Sequence, residues 1–183
     1  MIKKNVILTS VAIFLGIAIG IIIKVGTVIP QGTTLAGILW AIGNLGSGFF
    51  IWTAICTMLV MLSKSKKLAA INVFVFLASM IIANYLYSYF VTEWFVLRVA
   101  VFWVIMLILC TFLGYYIWDI KTNKKIYNIK LKNIIITIGT AIMLFDLLYM
   151  GLMTFASTII IIIILYVGFL TSIRFASKNI KDK

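Results

Sequence analysis

Hydrophobic residues in this chain fall into long blocks separated by short basic stretches, with no sustained alternation of apolar and polar positions. The blocks predict helices over about residues 5–23, 46–63, 68–90, 94–117, 133–152 and 155–174. Each is close to the ~20 residues that cross about 30 Å of hydrocarbon as a helix. Strands can satisfy their backbone in lipid only by closing into a barrel, and barrel strands alternate with period two; the missing alternation excludes that architecture. The expected fold is an all-α membrane protein: one integral membrane domain, 1–183, built as a bundle of six transmembrane helices with a broken second helix.

The second block is the irregular one. From Leu35 to Ser63 it would be about 43 Å long as a single helix, and it contains Gly37, Gly43, Asn44, Gly46 and Gly48. A break is expected near Gly43 to Gly46. Leu35 to Ile42 would then lie on or dip into the outer surface, and the spanning part would begin near Gly46. Broken backbone at membrane depth is tolerated where it faces protein or a wet cavity. The first block follows Met1-Ile2-Lys3-Lys4 in the manner of a signal peptide. It is longer than the usual apolar region and no small-x-small cleavage site follows, so it reads as an uncleaved first helix.

Composition changes the solvent. The chain is 64% hydrophobic and 11% charged, against roughly 25% charged in a soluble domain. So much apolar surface has no polar shell to cover it, and lipid is the natural surroundings. The net charge of +12 would point to nucleic acid in a soluble protein. Here the basic runs are short, lack interleaved stacking aromatics and sit between apolar blocks, so nucleic acid is excluded as a partner. Fourteen of the 16 Lys and Arg precede the first block, join the second to the third and the fourth to the fifth, or follow the sixth. Lys24 alone falls on the other side, and Arg98 lies inside a block. The positive-inside rule makes the 14-residue side cytoplasmic. Both termini are then cytoplasmic and the number of spans is even. The abundance of Ile, Lys and Asn points to an AT-rich bacterial source, hence to a multi-pass protein of the bacterial cell membrane. The basic loop 119–132 interleaves Ile126, Tyr127, Ile129 and Leu131 with lysines, a pattern suited to lying on the anionic inner leaflet.

Ionisable groups inside a membrane need a partner, a wet cavity or a role. On the predicted helices Arg98 lies about 9 Å, and Asp146 about 6 to 10 Å, below the outer surface. At matched depth they would face each other, either as a structural ion pair or as part of a ligand site. Glu93 starts the fourth helix; Asn84 and Tyr87 end the third; Asn44 sits at the expected break and Tyr149 near the outer end of the fifth helix. An interfacial aromatic belt explains the tyrosines. It does not explain Asn44, Asn84, Arg98 and Asp146 together, whereas an outward-facing polar pocket does. Ala12, Gly16 and Gly20 recur every four residues on the first helix. Small residues at that spacing permit close helix approach, within the bundle or against another membrane protein.

Enzyme classes fare poorly. With no histidine, histidine bases and histidine-containing zinc sites are out. Asp119 and Asp146 lie near opposite membrane faces and cannot form an aspartyl dyad. No nucleotide loop is present. Cys56 and Cys110 fall inside apolar segments, outside any C-x-x-C, and read as reduced core residues. No catalytic residue, metal site or cofactor is expected.

Two resemblances follow. Gly43 to Gly46, a Gly-Asn-x-Gly stretch opening the second helix, together with Trp52, resembles an uncharacterised family of small six-helix bacterial membrane proteins. Length, helix number and the Ala12–Gly16 stripe resemble the S components of energy-coupling-factor vitamin transporters, although no vitamin-specific motif is present. The second resemblance implies that the stripe docks on a transmembrane coupling subunit. It also implies a pocket that opens outward beneath the loop from about Lys24 to Thr34. The expected function is a solute-binding or transport subunit acting on an unidentified small molecule. The alternative is a non-transporting interaction protein that stabilises, protects or regulates another membrane complex.

Overall fold

The computed structural model of the chain describes residues 2–29, 32–47, 49–92 and 96–122, with positions 137, 140, 141, 144, 163 and 166–171 beyond them. Among the described residues the chain is helical and contains no strand. Helix α1 spans Ile2–Val28, α2 Thr34–Ser47, α3 Phe49–Leu62, α4 Lys66–Tyr87 and α5 Leu97–Thr122. Most of the fifth and sixth predicted helices, with Glu93, Trp94, Asp146, Tyr149 and much of loop 119–132, lie outside the described residues.

Local chemistry sets several of the ends. The chain's single proline, Pro30, follows the end of α1, and the residue before a proline is biased away from helical backbone. Thr33 starts α2 by accepting the Ala36 N–H at 3.2 Å. Ser65 caps α4 by accepting the Leu68 N–H at 3.2 Å. Each cap satisfies an amide that the helix itself leaves unpaired. Beyond Tyr87 the helix continues as a wider π-helical turn, Ser88–Thr92. There the Ser88 and Thr92 hydroxyls donate to the Asn84 and Ser88 carbonyls at 2.8 and 2.9 Å.

Among the described residues three helices are long and apolar enough to cross a membrane: Val6–Val28, Lys66–Thr92 and Leu97–Trp118. α1 and α4 are parallel. Thr9 meets Asn72, 63 residues on, and Gly20 meets Asn84, 64 residues on. A parallel pair joined through the chain requires the intervening segment to travel back along its length. α2 and α3 make that return. α2 runs antiparallel to α1 and packs against it, while α3 packs against α4 and α5. α2 is described to Ser47 and α3 from Phe49, with position 48 outside the described residues. Residues 43–47 are helical, so a break at Gly43 to Gly46 is not what forms. The reason lies at Gly43, which is pressed against α1: a β-carbon there would stand 2.8 Å from Gly26 Cα and 2.9 Å from the Ile23 carbonyl oxygen. Two facing glycines let α1 and α2 touch backbone to backbone.

The buried core is drawn from α1, α3, α4 and α5 and centres on Val60, Val73, Phe76, Leu77 and Met80, with Phe169 packed into it. Around it the outer faces are apolar: Phe14, Phe90, Phe102, Phe112 and Leu113 are exposed. A water-soluble fold would cover so many large side chains or group them into a contact patch.

Candidate functional site

The seam between α1 and α4 is the closest helix contact that the sequence anticipates by residue type. Ala12, Gly16 and Gly20 all lie buried along it, so this stripe is covered by α4 of the same chain. A β-carbon on Gly16 would overlap the Phe76 carbonyl oxygen and Ser79 Oγ. One on Gly20 would overlap the Met80 carbonyl oxygen and press on Ala83 Cβ at 3.1 Å. Polar atoms bridge the seam at three levels. Thr9 Oγ1 donates to Asn72 Oδ1 at 2.7 Å, Ser79 Oγ to the Ile13 carbonyl at 3.2 Å, and Asn84 Nδ2 to the Gly20 carbonyl at 3.4 Å.

A connected polar cluster sits at the lysine-bearing end, where α3 turns into α4. Asn72 is fully buried. Its Nδ2 donates to Ser63 Oγ at 2.9 Å, and Ser63 Oγ donates in turn to the Leu59 carbonyl at 2.6 Å. The Trp118 indole N–H donates to the Ser63 carbonyl at 3.0 Å. One asparagine and one serine thereby join α1, α3, α4 and α5. Thr9 is distant in sequence from Asn72 and Ser63, and the three converge only through the fold.

Toward the other end, α1, α3, α4 and α5 enclose a cavity of about 110 Å³ lined by Ile23, Trp52, Met80, Ile81, Asn84, Tyr85 and Trp103. Trp52 and Trp103 form one wall, their rings stacked at 4.2 Å between centroids with 25° between planes. Asn84 supplies a side-chain amide. Its Nδ2 is committed to Gly20, whereas neither Asn84 Oδ1 nor Trp103 Nε1 has a hydrogen-bond partner among the described residues. A polar atom left unpaired in apolar surroundings is costly, by roughly 1–3 kcal/mol. An acceptor and a donor on residues that line one small space therefore define what a guest would satisfy. No family model, curated protein or solved structure matches this chain. The site is therefore read from its own geometry.

That geometry gathers some of the expected residues and separates others. Asn84 lines the cavity. Tyr87 lines a different feature, an open groove of about 560 Å³ along α1 and α4. Arg98 is exposed in the first turn of α5 and makes no ion pair with a described residue. Arg98 is the second residue of α5, and its expected partner Asp146 lies outside the described residues. Asp146, Tyr149, Glu93 and the Asn44 side chain lie outside the described residues. α1 runs through Lys24 to Val28, so most of the segment from Lys24 to Thr34 is helix and only residues 29–33 join α1 to α2. A loop this short offers little chain to fold over a pocket. Trp103 was overlooked. Its signal was available: tryptophans of membrane helices favour the interfaces, and Trp103 stands well inside its apolar block, about 9 Å from the start of α5.

Proposed function

We propose that this chain is a six-helix, non-enzymatic protein of the bacterial cell membrane, and that it binds a small, mainly apolar solute in the Trp52–Trp103 cavity. The observation that carries the reading is the pairing of that aromatic wall with Asn84 Oδ1, which has no hydrogen-bond partner among the described residues. Volume limits the guest. About 110 Å³ is less than the roughly 150 Å³ of an engineered cavity that accepts benzene, so a compact molecule of at most one ring fits, with a donor for Asn84. On the topology expected from the positive-inside rule, the lysine-bearing end faces the cytoplasm and the cavity lies toward the outer side, which supports the solute-binding reading.

The test is a titration of the detergent-purified chain with phenol, which carries one ring and one hydroxyl, followed by tryptophan emission. Saturable quenching that disappears when Ile81→Phe fills the cavity supports the reading. A linear response unchanged by Ile81→Phe removes it. The alternative, an interaction subunit, is favoured by the open groove bordered by Ile17, Ile21, Ile82, Leu86, Tyr87 and Phe90, whose apolar walls suit a helix of another membrane protein. Under that reading Leu86→Lys disrupts assembly in the membrane and leaves phenol quenching intact.

A further inference from the structure

We infer that Cys56 and Cys110, the chain's two cysteines, form a redox-active pair that closes as a disulfide between α3 and α5. Both thiols are free and half-buried, and both line the same cavity of about 90 Å³. This site is separate from the Trp52–Trp103 cavity and does not depend on any solute binding there.

Register carries the argument. α3 and α5 run parallel: Trp52 stacks on Trp103 toward one end, and Trp118 bonds to Ser63 at the other. Between these contacts Gly114 lies against Val60, where an added β-carbon would stand 3.4 Å from Val60 Cγ2 and 3.2 Å from Val73 Cγ2. Cys56 is four residues before Val60, and Cys110 four residues before Gly114. The cysteines therefore repeat the Val60–Gly114 contact about one turn along both helices. Packed helices have axes about 8–10 Å apart and Cα radii near 2.3 Å, so facing Cα atoms approach to roughly 3.5–5.5 Å. That range overlaps the window of about 4.4–6.8 Å in which a disulfide closes. Gly114, with no side chain, lets α5 approach Val60 and Val73 at this level.

The chemistry also selects a disulfide. A metal dithiolate would require two deprotonated sulfurs in apolar surroundings, which is costly. The disulfide is neutral. Both S–H bonds break and one S–S bond forms; two electrons and two protons pass to a lipid-soluble acceptor of the diazene or quinone class, which becomes the hydrazine or hydroquinone. The nearby Thr57 and Thr111 hydroxyls donate to the Thr53 and Leu107 carbonyls at 2.6 and 2.8 Å. Closure would pin α3 to α5 between the tryptophan stack and the Ser63–Trp118 bond.

The experiment treats the full chain, in detergent and in phospholipid vesicles, with the diazene diamide. Free thiols are then counted with a maleimide and the cross-linked peptides identified by mass spectrometry. The expected result is loss of both thiols within one monomer and a peptide joining Cys56 to Cys110. Cys56→Ser and Cys110→Ser should each leave the remaining thiol reactive. Gly114→Val, which pushes α5 away from Val60 and Val73, should slow closure several-fold. Two thiols that stay maleimide-reactive after diamide, or cross-links found only between chains, would overturn the inference whatever the outcome with phenol.

Discussion

Placing a side chain at Gly16 should separate α1 from α4, and the size of the effect can be worked from the contacts. A β-carbon there meets the Phe76 carbonyl oxygen and the Met80 amide nitrogen, the latter at 3.2 Å. These are backbone atoms, so no rotamer change relieves the overlap and the helices must move apart. Overpacking of this kind costs about 1–3 kcal/mol. Separation also stretches the three bridges from Thr9, Ser79 and Asn84, at about 0.6 kcal/mol for each hydrogen bond between membrane helices. Against these losses, alanine is favoured over glycine in a helix by about 1 kcal/mol. Gly16→Ala should therefore destabilise by a net of about 2–4 kcal/mol, and Gly16→Leu by more, since it forces a larger separation. Gly32→Ala is the control, because a β-carbon there meets nothing within 4 Å; it should stay within about 0.5 kcal/mol. The assay is unfolding of the micelle-bound protein by titration with sodium dodecyl sulfate, read by circular dichroism. Gly16→Ala at or above the stability of the unsubstituted chain would refute the parallel, backbone-close packing of α1 on α4.

Other expectations follow from the same contacts. Asn72→Leu breaks the bridges to Thr9 and Ser63 and should cost about 1–2 kcal/mol; a double-mutant cycle with Thr9→Val in the same unfolding assay should show coupling, and additive losses would mean the two residues act independently. Asn84→Leu should weaken phenol quenching about fivefold, the worth of one hydrogen bond near 1 kcal/mol; an unchanged midpoint would exclude Asn84 from the site. Reporter tags at Lys4, Lys66, Lys125 and Lys183 should all be cytoplasmic and one at Gly151 outside; a tag at Lys66 opposite to Lys4 would contradict the parallel α1 and α4. Arg98→Met should change stability by no more than about 0.5 kcal/mol, as expected for an exposed position; a loss several times larger would revive a buried pairing with Asp146.

Hydropathy alone sufficed to place α1, α4 and α5, because in lipid the length of an apolar block is itself the structural requirement. The lysine distribution fixes the direction in which those helices are expected to run. Small residues marked the α1 face that approaches a neighbour, since Ala12, Gly16 and Gly20 are the positions where backbone can touch backbone. Which neighbour they meet was not legible: α1 is apolar nearly all round, so no amphipathic stripe separates a buried face from a lipid-facing one. Only the fold showed that α4 fills the stripe, that Gly26 and Gly43 close α1 on α2, and that Asn72 gathers Thr9, Ser63 and, through Ser63, Trp118. The same limit applies to the cavity. Asn84 could be picked out as a polar residue in an apolar block. Its pairing with Trp52 and Trp103 depends on the relative rotation of three helices, which is set by side-chain packing between segments distant in sequence. Cys56 and Cys110 likewise read as isolated core residues along the chain and share a cavity only because Gly114 lets α5 settle against α3.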